Sequence, residues 1–219
     1  DEDYVKEAIR NGYKILGFAD HACWPYVGKT EHENNYPKEM KTGEDRRKFV
    51  NWVYQKRESK MRMSPSDFPD YVRSIKFLRC KYKHWIDIRL GLEAEYDPQY
   101  MDWMLNLCAE YDLDYLILGH HYVMGEEAGT YTGLLDKEGL KLYVQTAIEA
   151  LETGMYAYMA HPEFFMRSRQ LSYDEDVEAA FRQIAQAAAR LDIPVEYNCS
   201  GMMANKSSRT ERYPHHRFW

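Results

Sequence analysis

The sequence predicts an α/β fold, an incomplete barrel of parallel strands and helices, and three observations carry that expectation. Helix-period and strand-like stretches alternate in the order α-β-α-β-α-β-α-β-α-β, the pattern that builds a parallel sheet with helical crossovers. Four largely apolar runs each end on a histidine or carboxylate: 15–19 before Asp20-His21, 86–92 before Glu93, 115–119 before His120-His121, and 155–160 before His161. The chain has 219 residues, enough for one large α/β unit with a sizeable core, so 1–219 is read as a single domain.

The elements follow in order. A first helix over about 2–12 sets Val5, Ala8 and Ile9 on one side and stops at Asn11-Gly12. The strand ending at Asp20-His21 comes next. From 22 to 63 the chain is polar and broken by Pro25, Gly28, Pro37 and Gly43. A helical stretch near 44–58 is expected inside it, and its place after a strand end suits a lid or substrate loop. Ser64-Pro65-Ser66-Asp67 opens a helix with Tyr71, Ile75, Leu78 and Tyr82 at helical spacing, and the strand to Glu93 follows. A helix over about 98–111 leads to the strand at 115–119. The segment 125–133 carries glycines without a phosphate-loop pattern and is read as a plain connection. Helix 136–153 feeds the strand before His161. Helix 173–191 feeds a fifth run, Ile193-Pro194-Val195, which leads into Glu196, Tyr197 and Asn198.

Composition narrows the function classes. The net charge is −6 with no basic stripe, so nucleic acid is not expected as the main partner. Cys23, Cys80, Cys108 and Cys199 show no CxxC spacing and read as reduced thiols of a cytoplasmic protein. No run of about 18 apolar residues implies a membrane span, and no export signal is evident. Oligomeric state is not readable. The chain starts on Asp1 inside an amphipathic pattern and stops at Phe218-Trp219, so it is expected to be an internal piece of a longer domain.

In a parallel barrel or sheet the C-terminal strand ends share one face, where ligands and catalytic groups collect. His21, Glu93, His161 and one of His120 and His121 therefore converge from four strands. Imidazole and carboxylate suit Zn, Mn or Fe, and three histidines at equivalent positions are more than chance placement of eight would give. His120 and His121 cannot both point inward from an extended segment; one is the ligand and the other a rim or supporting group. Asp20 either supports His21 or caps a turn. Glu196 and Asn198 share a strand face, so both reach the pocket unless one caps a loop. Glu163, after Pro162, starts a helix. Arg167, six residues past His161, is placed to clamp a phosphate. Lys56, Arg57, Lys60 and Arg62 form a solvated helix face. His32, His84, His215 and His216 lack the strand-end placement, and the pair His215-His216 reads as solvated.

Five segments together resemble the PHP family, named for polymerase and histidinol phosphatase domains, and most closely its histidinol-phosphatase branch. They are Gly17-Phe18-Ala19-Asp20-His21, Gly91-Leu92-Glu93, Ile117-Leu118-Gly119-His120-His121, Ala160-His161-Pro162-Glu163 and Glu196-Tyr197-Asn198-Cys199-Ser200-Gly201. The resemblance implies a distorted barrel of the PHP type that binds two or three divalent ions (Mn, Zn or Fe). It implies His21, Glu93, His121 and His161 as metal ligands, and Arg167 as a phosphate contact. Asp20, His120, Glu196 and Asn198 stand behind the ligands or against the substrate. It also implies hydrolysis of a small phosphate monoester, L-histidinol phosphate in histidine biosynthesis. Two family elements, a His-x-His pair and a late Asp-x-His, are expected before Asp1 and after Trp219, so this piece alone should be poorly active. The alternatives are a PHP-type phosphodiesterase or exonuclease, and a degenerate metal-binding module.

Overall fold

The computed structural model of the chain describes residues 1–25, 63, 65–125 and 129–219. The expected 22–63 excursion falls almost wholly outside these residues. So do its helix near 44–58, His32 and the basic residues Lys56, Arg57, Lys60 and Arg62.

Helix α1 (Glu2–Arg10) precedes strand β1 (Ile15–His21). Next come α2 (Phe68–Tyr82), β2 (Asp87–Ala94), α3 (Met101–Tyr111) and β3 (Tyr115–Leu118). Two short strands, β4 (Tyr122–Val123) and β5 (Thr130–Tyr131), pair antiparallel and run into a 3-10 turn at Thr132–Leu134. The chain continues through α4 (Lys137–Glu152), β6 (Tyr158–Met159), a 3-10 turn at Phe164–Arg167, α5 (Glu175–Leu191) and α6 (Cys199–Ser208).

Among the described residues the main sheet is parallel, in the order β1-β2-β3-β6, and does not close. It is the incomplete barrel expected. Strand β2 shows how the sequence builds it. Ile88, Leu90, Leu92 and Ala94 alternate onto one buried face, while Asp87, Arg89, Gly91 and Glu93 take the other. Ile88, Leu90 and Leu92 are fully buried, and each contributes on the order of 1.5–3 kcal/mol. That face joins one core with Val72, Ile75 and Leu78 of α2, Leu116 and Leu118 of β3, Tyr143 and Ala147 of α4, and Phe181 and Ile184 of α5. Helices α4 and α5 start sharply because Asp136 and Asp174 accept backbone N–H groups of the first turn. No helix among the described residues is long and apolar enough to cross a membrane.

Three local expectations change. The run 193–195 forms a single bridge, Val195 to Met159, and not a strand. Pro194 has no N–H to give, so the ladder reduces to its carbonyl accepting Met159 N–H and Glu196 N–H returning to Met159 O. The segment 125–133, read as a plain connection, contributes β5 to a small hairpin. Tyr122 and Tyr131 of that hairpin form a second apolar cluster with Phe164. Past Glu196 the chain turns directly into α6, because the Asn198 side chain accepts Gly201 N–H at 2.7 Å.

Candidate metal centre

Strand register brings the site together. His21 pairs with Glu93 across β1 and β2, Glu93 with Ile117 across β2 and β3, and Ile117 with Tyr158 across β3 and β6. These four residues form one row near the C-terminal edge of the sheet. His121 and His161 are delivered to that row by tight turns after β3 and β6. In the first, His121 N–H bonds back to Gly119 O at 2.8 Å. In the second, His161 itself takes a left-handed φ of 31°, a conformation costing a non-glycine residue on the order of 1–3 kcal/mol. Backbone strain at a residue so placed is a mark of a functional position.

Glu93 is the hub. Its carboxylate lies 3.1 Å from His161 Nε2, 3.5 Å from His21 Nδ1 and 3.6 Å from His121 Nε2. Burial alone would raise its pKa; in acid, where the imidazoles are protonated, the hydrogen bond with His161 and the charges of His121, His161 and His21 override that and hold it well below the usual carboxylate range. Space for the hub is made by Gly119, where a Cβ would fall 2.5 Å from Glu93 Cγ and Oε1. One step down the same face, the Tyr115 ring lies across two strands, and a Cβ would meet it at 2.6 Å on Gly91 and 2.3 Å on Gly17. Its hydroxyl donates to Phe18 O at 3.1 Å.

Each of the three histidines has its backbone N–H taken by a carboxylate. Asp20 accepts from His21 at 2.9 Å, Glu95 from His121 at 2.8 Å, and Glu196 from His161 at 3.0 Å. Asn198 Nδ2 in turn donates to both oxygens of Glu196. Glu95 was not foreseen, although it stands two residues beyond Glu93 and so shares its strand face, which is the signal that could have found it.

The chain splits the His120-His121 pair. His121 enters the site, whereas His120 is fully buried behind it, its Nε2 2.9 Å from Thr146 Oγ1 and its ring against Tyr143. Desolvation brings the His120 pKa down to about 4. Arg167 stands one aromatic layer from the cluster. Its guanidinium lies 4.9 Å from the Phe164 ring centre, and that ring packs on His121 and His161. Arg167 lines a neighbouring cleft of about 440 Å³ with Tyr131, Ser168, Arg169 and Gln170. Glu163 precedes the 3-10 turn, and its buried carboxylate accepts His215 N–H and Trp219 Nε1–H, which ties the C-terminal segment to the His161 turn. Burial raises the pKa of Glu163. Glu211, His215 and His216 also lie together, but the two imidazoles stack 5.0 Å apart at 20°, so their in-plane lone pairs run side by side.

The site opens into a cleft of about 390 Å³ lined by His21, Glu93, His121, His161, Glu196, Asn198, Tyr158 and the small residues Gly17, Ala19 and Ala160, with Ile117 at the back. The residues fit a divalent transition ion. One donor atom from each of His21, Glu93 and His121 lies within 4.8 Å of the others, and imidazole with carboxylate is the set such ions take. His161 Nε2, 3.1 Å from Glu93 Oε1, is a further nitrogen at the cluster, and its Nδ1 is buried with no hydrogen-bond partner among the described residues.

The PHP domain family matches residues 2–200, and the chain belongs to that family. Among curated proteins it is similar to a probable histidinol-phosphatase of Schizosaccharomyces pombe, 27% identical over 127 residues. That match takes in 56% of this chain and spans about a third of the relative's length, 33%. Among solved structures it resembles a Listeria monocytogenes protein assigned as a histidinol phosphatase, with a TM-score of 0.61 and 18% identity over 99% of this chain and 82% of that one. It also resembles the histidinol phosphate phosphatase of Lactococcus lactis solved with zinc, L-histidinol and phosphate. There the TM-score is 0.58 at 18% identity, over 89% of this chain and 65% of that one.

Proposed function

We propose that the chain carries the metal-binding half-site of a phosphatase that hydrolyses a small phosphate monoester, with L-histidinol phosphate as the substrate. The observation that carries the reading is the Glu93-centred cluster of His21, His121 and His161 at the C-terminal edge of a parallel sheet. Membership of the PHP family supports it, as do the names of the relatives and the zinc, L-histidinol and phosphate held by the Lactococcus protein.

The electrostatics explain why metal would be required. Among the described residues the cleft lining contains two carboxylates, Glu93 and Glu196, and no lysine or arginine. A phosphate dianion entering it unaided meets like charge at short range. His21, Glu93, His121 and His161 would hold the divalent ions, two or three of Mn, Zn or Fe when the full ligand set is present. Such ions supply positive charge to the phosphoryl oxygens and acidify water for attack on phosphorus.

The chain's own residues then position and enclose. Glu196, braced by Asn198, holds the His161 turn in its strained form. Ala19 and Ala160 leave room for the substrate body, and Tyr158 supplies a wall for it. Arg167 would neutralise charge on the phosphoryl group by reaching past Phe164 from the adjoining cleft. The test is phosphate release from L-histidinol phosphate by the full-length protein loaded with Mn²⁺ or Zn²⁺, before and after a chelator. Turnover that stops with chelation is expected. A metal-loaded protein that releases no phosphate removes this substrate assignment.

A further inference from the structure

We propose that Glu95 is a positioning residue of the metal centre, fixing the tautomer and rotation of His121 so that Nε2 is the nitrogen presented to metal. The proposal rests on reading the His–Glu cluster as a metal site.

Glu95 is 1% exposed and binds His121 twice. Its Oε2 accepts the His121 backbone N–H at 2.8 Å and the Tyr122 N–H at 3.1 Å, while its Oε1 meets His121 Nδ1 at 2.8 Å. An ionised carboxylate only accepts, so the imidazole must place its proton on Nδ1. Nε2 is then unprotonated, and it is the atom that faces Glu93 Oε1, at 3.6 Å. Gripping backbone and ring through one carboxylate also removes the rotation about the side-chain bonds. Phe164, edge-on at 5.0 Å and 87°, blocks the remaining swing. His161 is held differently. Glu196 takes its backbone N–H, its Nε2 meets Glu93 Oε1 at 3.1 Å and its Nδ1 has no partner among the described residues, so no carboxylate stands behind that ring. Carboxylates behind ligating histidines raise ligand basicity and set ring orientation, and their loss costs about 10–100-fold in metal affinity.

Glu95→Gln is the near-isosteric probe. The amide must turn its NH2 group either toward Nδ1, which forces the proton to Nε2, or toward the backbone N–H groups of His121 and Tyr122, which then face a donor in place of the Oε2 that accepted them. Both outcomes weaken the site. The wild-type, metal-free protein is first examined with 15N-labelled histidine, the His121 signals being identified by their absence in His121→Asn. The Nδ1–H tautomer is expected, and an Nε2–H tautomer overturns the proposal whatever the variant does. Zn²⁺ affinity by competition titration should fall about 10–100-fold in Glu95→Gln, with altered visible bands in the Co²⁺-loaded form. Unchanged affinity and unchanged bands in a folded Glu95→Gln protein overturn it. A wild-type protein that binds no Zn²⁺ at all removes the metal reading together with this one, whereas unchanged affinity in the variant removes this one alone.

Discussion

Replacing Gly119 by alanine should disable the cluster without altering any side chain in it. The new Cβ would stand 2.5 Å from Glu93 Cγ and Oε1 and 2.8 Å from Cδ, where ordinary contact begins at 3.4 Å. Gly119 does not use a left-handed φ, so the backbone accepts alanine and the whole burden falls on Glu93. The carboxylate must retreat by about 0.9 Å, the shortfall from ordinary contact, and its 3.1–3.6 Å approaches to three imidazoles are set at that scale. Overpacking of this kind costs about 1–3 kcal/mol of stability. A misplacement near 1 Å in an active site costs on the order of 10²-fold in rate. Urea unfolding of the metal-free protein should show the stability loss, and Zn²⁺ titration a clear loss of affinity. Gly119→Ala protein with wild-type stability and wild-type Zn²⁺ affinity would show that Glu93 is not confined as described.

Two further outcomes are expected. Asn198→Ala removes the cap on α6 and both donors to Glu196, and should lower stability by about 1 kcal/mol in urea titration; an unchanged midpoint would mean the cap contributes nothing. Burial pushes the thiols of Cys23 and Cys108 up to about 12 and about 11, and the Tyr115 hydroxyl up to about 12. The fold keeps these protons where the unfolded chain gives them up. The stability so gained is full below the unfolded values, near 9 for the thiols and 10 for tyrosine, and drains as pH rises toward 11 and 12. Urea midpoints should therefore fall between pH 8.5 and 11, and a flat profile would contradict the assigned burial.

The legible part of this protein was what strand geometry dictates. His21 and Glu93 sit on strands whose period of two fixes their side of the sheet, so apolar runs ending in chemistry gave both the architecture and the row that holds them. What lies past the strand ends was harder. The turn at Gly119 sends His120 and His121 to opposite sides of the wall; alternation separates the pair but does not say which of them enters the site. Glu95 lies past the apolar run 86–92 whose end marks Glu93, and only parity puts it on the same side. The hairpin of β4 and β5 consists of two-residue strands, too short to show alternation. Helix α6 lacks an apolar stripe, and only its capping Asn198 announces it. Arg167 is near the cluster by sequence distance, yet Phe164 stands between them.

Tyr115, Gly17 and Gly91 come from three strands yet occupy one volume, since either glycine could gain a methyl only if the ring withdrew first. Substitution is therefore ordered. A smaller residue at 115 is permitted before any side chain at 17 or 91, and the reverse sequence passes through a clash. Across chains built on this sheet the three positions should travel as a unit. The three positions then form a single inheritable setting, governed by one ring while the metal-binding row above it stays untouched.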